Sequence, residues 1–149
     1  MTSVDDAPPN EVLLDLIQSY RGQYSNISDL QLISNTHRYR EDPLPSLHCL
    51  LDTANPEQRS IGSGKKVLDR VRVKLVYYSA DNRDIWKMYQ TIKQIIVGNN
   101  QVKSTSQYPS TGIEWSVLGD VDFDVFEINR EVELNYFDMV VEAVFQDNY

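Results

Sequence analysis

A chain of 149 residues, 41 % hydrophobic and 24 % charged, fits one domain and can bury a core without covalent staples. Its 22 acidic and 14 basic residues leave a formal charge of −8, which weighs against a protein that grips nucleic-acid phosphates or an anionic membrane surface. Cys49 is the single cysteine, so no intramolecular disulfide can form. The first residues, Met1-Thr2-Ser3-Val4-Asp5-Asp6, carry neither a basic segment nor an apolar one, and the apolar runs are far too short for a membrane span. The expectation is a soluble protein made in a cytoplasm.

Residues 1–9 are polar, end in Pro8-Pro9 and read as a flexible arm; residues 10–149 read as one α+β domain. Asn10 is a candidate cap for a helix over about 11–21, where Val12, Leu13, Leu14, Ile17 and Tyr20 recur at helical spacing and Gly22 offers a stop. Residues 23–46 follow no clean period. Leu47 to Leu51 reads as a short strand after the Pro45 break. Thr53 to Lys66 holds Asn55-Pro56 and Gly62-Ser63-Gly64 and reads as a long connection between strands.

Val67 to Tyr78 is the clearest strand: Val71, Val73, Leu75 and Tyr77 share one face, and Arg70, Arg72, Lys74, Val76 and Tyr78 the other. Asp81 caps a second helix running to Val97, in which Ile85, Met88, Tyr89, Ile92, Ile95 and Ile96 form one stripe. Residues 99–112 read as a polar loop. Ile113, Trp115 and Val117 alternate as a strand, 119–133 is acidic and ambiguous, and Phe137 to Phe145 alternates as a closing strand. The order predicts a mainly antiparallel twisted sheet of four or more strands, with two or three helices packed on one face.

The candidate chemistry is thin. His48 and Cys49 are adjacent, so in a strand they point to opposite faces and cannot act as a base and nucleophile pair. His37 reads as a surface loop residue, and no third group is placed to orient it towards Cys49. Asp120, Asp122, Asp124 and Glu131 fall at positions 1, 3, 5 and 12 of a calcium-loop template, but Val125 stands where the loop needs glycine and both flanks look like strands. Alternating aspartates also arise on the wet face of a strand, so calcium is the weaker reading. Arg70, Arg72 and Lys74 form a basic stripe suited to a solvated face or to a partner's acidic surface. Trp86 lies just off its helix stripe; aromatics in such places are core edge when covered and interface anchors when exposed.

An ordered set of features resembles the tail terminator proteins of long-tailed bacteriophages, such as that of phage lambda. The features are an N-terminal helix, the Leu44-Pro45 strand opening, the strand Val71 to Tyr78, the helix Asp81 to Val97, a Trp115 strand and a final apolar strand. The resemblance covers about residues 10–147. It implies a structural virion protein without cofactor, forming a hexameric ring that caps the tail tube, stops its polymerisation and meets the head-side connector. Six copies would carry about −48, so DNA would slide through the lumen without binding. Asp120, Asp122, Asp124 and Glu127 are then candidates for the lumen or rim. The alternatives are a neck or tail-completion adaptor and a small calcium- or ligand-binding module.

Overall fold

In the computed structural model the alternating strand around Val73 lies inside the sheet, paired on both sides. The model describes residues 8–34, 43–61, 64–98, 101–102, 113–129 and 132–148. The elements run α1 (Pro9–Ser19), a 3₁₀ turn (Ser25–Ile27), β1 (Gln31–Ile33), β2 (Ser46–Ile61), β3 (Gly64–Ser79), α2 (Asn82–Gly98), β4 (Gln101–Val102), β5 (Ile113–Asn129) and β6 (Val132–Asn148). The sheet order is β1-β2-β3-β6-β5-β4. Among the described residues, the short β1–β2 pairing is parallel and the other pairings are antiparallel. This is the α+β class expected from the alternation pattern.

Two long hairpins make the sheet. The first, β2–β3, turns between Ile61 and Gly64; the second, β5–β6, turns between Asn129 and Val132. Ser79 pairs with Asn135 and Lys66 with Asn148, so the two turns lie at opposite ends of the sheet. Two expectations are corrected here. The stretch 53–66 is not a long connection but the continuing ladder, from Thr53↔Arg72 to Ile61↔Gly64. Pro56 misleads because it breaks central strands, whereas β2 is an edge strand along this stretch and tolerates a missing N–H. The ambiguous stretch 119–133 contributes to the second hairpin, because β6 supplies a full register for β5 up to Asn129↔Val132.

One face of the sheet is dry. Leu47, Cys49, Val73, Leu75, Tyr77, Trp115, Phe137, Met139 and Val141 bury there against Leu13, Leu14 and Ile17 of α1 and Ile85, Met88, Ile92, Ile95 and Ile96 of α2. A fully buried aliphatic or aromatic side chain contributes about 1.5–3 kcal/mol, so this layer dominates the stability. Helix α1 starts differently from the expectation. Pro8 is the N-cap and Pro9 opens the first turn, where its missing N–H costs nothing. Asn10 is turned inward instead, and its Nδ2 donates to the Cys49 carbonyl at 3.1 Å, tying α1 to the sheet. At α2 the cap is as expected: the Arg83 N–H donates to Asp81 Oδ1 at 2.9 Å. Within the segment between α1 and β1, Arg21 donates to the Leu30 carbonyl at 2.8 Å, and Asn26 fastens the segment to α2 by donating to Thr91 Oγ1 at 2.9 Å.

Candidate functional site

The second hairpin is where the sequence stops serving the core. Up to Leu118, β5 keeps step with β6, and Ile113 and Trp115 are buried. Between Leu118↔Val140 and Asp122↔Asp138 the register shifts, so Gly119, Asp120 and Val121 stand opposite Met139 alone. Gly119 takes φ +65° there, the left-handed region in which only glycine is unstrained. The bulge inserts two extra residues. An even insertion keeps the alternation, so Phe123 pairs with Phe137 and stays on the helix-covered side.

Past the bulge the cover runs out. Phe123 is 45 % exposed, Val125 44 % and Trp86, on the neighbouring face of α2, 59 %. Trp86, Tyr89, Phe123 and Phe137 form a stack with ring centroids 5.4 Å (Trp86–Tyr89), 5.5 Å (Tyr89–Phe123) and 6.1 Å (Phe123–Phe137) apart. It leads from the buried Phe137 to the surface, and Lys93 Nζ sits 4.9 Å from the Tyr89 ring centre. Beside it lies a depression of about 250 Å³ lined by Ile85, Phe123, Val125, Asp124 and Tyr136. Ile85, Phe123 and Val125 give it apolar walls, while the side chains of Asp124 and Tyr136 belong to the opposite face of the sheet. The Tyr136 hydroxyl lies 3.5 Å from Asp124 Oδ2, and its pKa is raised by partial burial and by that carboxylate.

The acidic residues singled out from the sequence divide. Asp122 and Asp124 pair with Asp138 and Tyr136 on the face away from the helices, and both are exposed; Asp120 is exposed within the bulge. Glu127 pairs in register with Glu133. Glu131 and His37 lie outside the described residues. The aspartates stand on an extended strand, where a calcium loop would wrap, and among the described residues no three potential ligands gather around one point.

The basic stripe faces the same way as Asp122 and Asp124. Arg70 and Arg72 both approach Glu142, at 3.5 and 3.7 Å, and Lys74 meets Asp138 at 3.0 Å. The hydrogen bond and charge of Asp138 hold the Lys74 pKa above the ordinary lysine value. The stripe is therefore laced to β6 across the sheet, with two guanidinium groups sharing one carboxylate.

Cys49 is wholly buried in the core layer, and burial pushes its thiol pKa up, away from the thiolate that nucleophilic chemistry requires. His48, on the opposite face, is buried with its Nε2 3.1 Å from Ser46 Oγ and its ring edge-on to Tyr78.

Among the described residues, β2 beyond His48 and β5 from Trp115 onward have a strand partner on one side only. Both are blunted as edges. β2 carries a bulge at Asp52 and then Pro56, and β5 carries its wide bulge and its aspartates, all features that discourage further strand pairing. Among the described residues, the aromatic patch and its depression form one apolar surface left open to a partner. Sequence reasoning marked Trp86 but missed Phe123 and Val125, although both alternate with the aspartates that drew attention. Among the described residues no helix is long and apolar enough to cross a membrane.

No protein-family model matches this sequence, and no curated protein does. In fold the chain is similar to one chain of a solved structure described as the virion of a native gene transfer agent particle. The TM-score is 0.50 at 12 % identity, and the likeness covers 95 % of this chain and 100 % of that one.

Proposed function

We propose that this chain is a structural subunit of a phage-like particle that works by assembly, and within that class a tail terminator: a ring-forming protein that caps the tail tube, stops its growth and joins it to the head side. The observation that carries this reading is the end-to-end fold likeness to a chain of a virion particle, with no large insertion left over on either side. The surface supports it. The exposed aromatics Trp86 and Phe123 sit where the helix cover of the sheet ends, as interface anchors do. The strong net negative charge suits a lumen through which DNA must pass without sticking.

The test is particle assembly without the chain. Imaging should then show tails of uncontrolled length. Tails of normal length that fail to join heads would move the assignment to a neck or tail-completion adaptor. Normal infectious particles, or purified particles whose mass spectrum lacks this protein, would overturn it.

A further inference from the structure

The outward face of α2 is cationic in an otherwise acidic chain. Ile85, Met88, Ile92, Ile95 and Ile96 bury against the sheet, so helical spacing turns Arg83, Trp86 and Lys87 the other way, and all three are exposed. Among the described residues neither Arg83 nor Lys87 is held in an ion pair. The one carboxylate of the helix, Asp84, stands on its flank, where with Asp29 it lines a hollow beside Lys87. The Trp86 ring lies 6.2 Å from that of Phe123, so the cationic face runs into the exposed aromatic patch.

The opposite face of the sheet carries the complementary pattern. Asp120, Asp122 and Asp124 alternate with Val121, Phe123 and Val125; Val121 packs against the core, so the three exposed aspartates point away from the helices. Cations on that face are engaged with β6: Lys74 meets Asp138 at 3.0 Å, and Arg70 and Arg72 share Glu142. Aspartates two apart on an extended strand are about 6.8 Å apart. Arg83 and Lys87, four apart on a helix, are about 6 Å apart along its axis. Two cations of one copy therefore fit two carboxylates of another in register. Trp86, between those cations, would meet the half-buried Tyr136, which pairs with Asp124.

We infer that the outward face of α2, through Arg83, Trp86 and Lys87 with Phe123 at its margin, docks on the Asp120–Asp122–Asp124 row of a second copy, front to back. A chain of charge −8 repels its own copies in general, so self-contact needs a local match of this kind. A two-fold contact through Trp86 would instead bring the Arg83 and Lys87 of one copy towards those of the other. Since the two surfaces lie on opposite sides of the sheet, each copy gives one and receives the other, and repetition closes a ring or grows a filament. The inference deepens the assembly reading above and rests on it.

Charge reversal tests it, read by sedimentation equilibrium. One variant carries Arg83→Glu with Lys87→Glu; the other carries Asp122→Lys with Asp124→Lys. Each should weaken self-association by about tenfold or more, because like charges then face each other. An equimolar mixture should recover association, since the two variants face each other with opposite charges. Trp86→Ala should weaken association too, whereas Asp15→Lys, exposed on α1, should leave it unaltered. Circular dichroism checks the fold of each variant. If a reversal fails to fold, mixing variants with one added surface cysteine each, Lys87→Cys and Asp122→Cys, gives the same readout: heterodimer disulfides should outnumber homodimers. Association indifferent to either reversal, a mixture that does not recover, statistical cross-linking, or a wild-type monomer at about 1 mM would each overturn the contact. None of these would touch particle composition, which tests the assembly reading separately.

Discussion

The two halves of β5 follow the same rule and reach opposite ends. Ile113, Trp115 and Val117 alternate with Glu114, Ser116 and Leu118, and Phe123 and Val125 alternate with Asp122 and Asp124. Both apolar sets point to the helix side. Trp115 is sealed there at 2 % exposure, while Phe123 keeps 45 % of its surface open. The difference is not in the strand but in what lies over it: α2 covers the first half and only grazes the second. Apolar alternation thus reports which way a side chain points, and helix cover decides whether that direction is core or contact surface.

The contrast can be broken at its covered end first. Trp115→Ala removes a filled position from the closed layer and should cost about 3–5 kcal/mol in urea denaturation, with much of the fold at risk. A cost below about 1 kcal/mol would mean the layer is not close-packed there. At the junction, Gly119→Ala meets no neighbouring atom but must hold φ +65°, so it should cost about 1–2 kcal/mol from backbone strain alone. A neutral result would mean the bulge relaxes into another register.

At the open end, Phe123→Ala should cost less than about 1.5 kcal/mol in the monomer, because half the ring is already in water. Its larger effect should be on self-association. Loss of stability comparable to Trp115→Ala would erase the distinction between the two halves. The smallest effect concerns the ion pairs behind the sheet. Lys74→Ala should cost no more than about 1 kcal/mol, since Lys74 is nearly half exposed. The Lys74 pKa is raised in the fold, so its contribution is complete below the ordinary lysine value of 10.5 and is lost as pH climbs through the raised one. The stability gap between wild type and Lys74→Ala should therefore stay level through neutral pH and close in strong alkali. A gap that widened with pH would refute the pairing with Asp138.

How much of this was legible depended on whether local signals and long-range pairing agreed. Val71 to Tyr77 and the stripe from Ile85 to Ile96 were readable because alternation and helical spacing each match the layer that buries them. The α2 cap at Asp81 was readable for the same reason. Residues 53–61 were not, since Pro56 and the nearby glycines signal a loop and only the partner strand β3 holds them extended. Asn10 was misassigned because a capping side chain and a buried tether look alike without knowing that Cys49 lies across from it. At the candidate site the carboxylates of β5 were visible, but the neighbouring Phe123 and Val125 gain meaning only once the edge of α2 is located.

The doubled bulge in β5 sets a rule for how this strand can change in length. Removing one residue from Gly119-Asp120-Val121 would rotate everything beyond it by half a pleat, turning Phe123 and Val125 towards the lysine and arginine stripe and the aspartates towards Trp86. Removing two would flatten the strand yet return every side chain to its present side. Length variants at this point should therefore be tolerated in steps of two and rejected in steps of one, even though the segment lies on the surface.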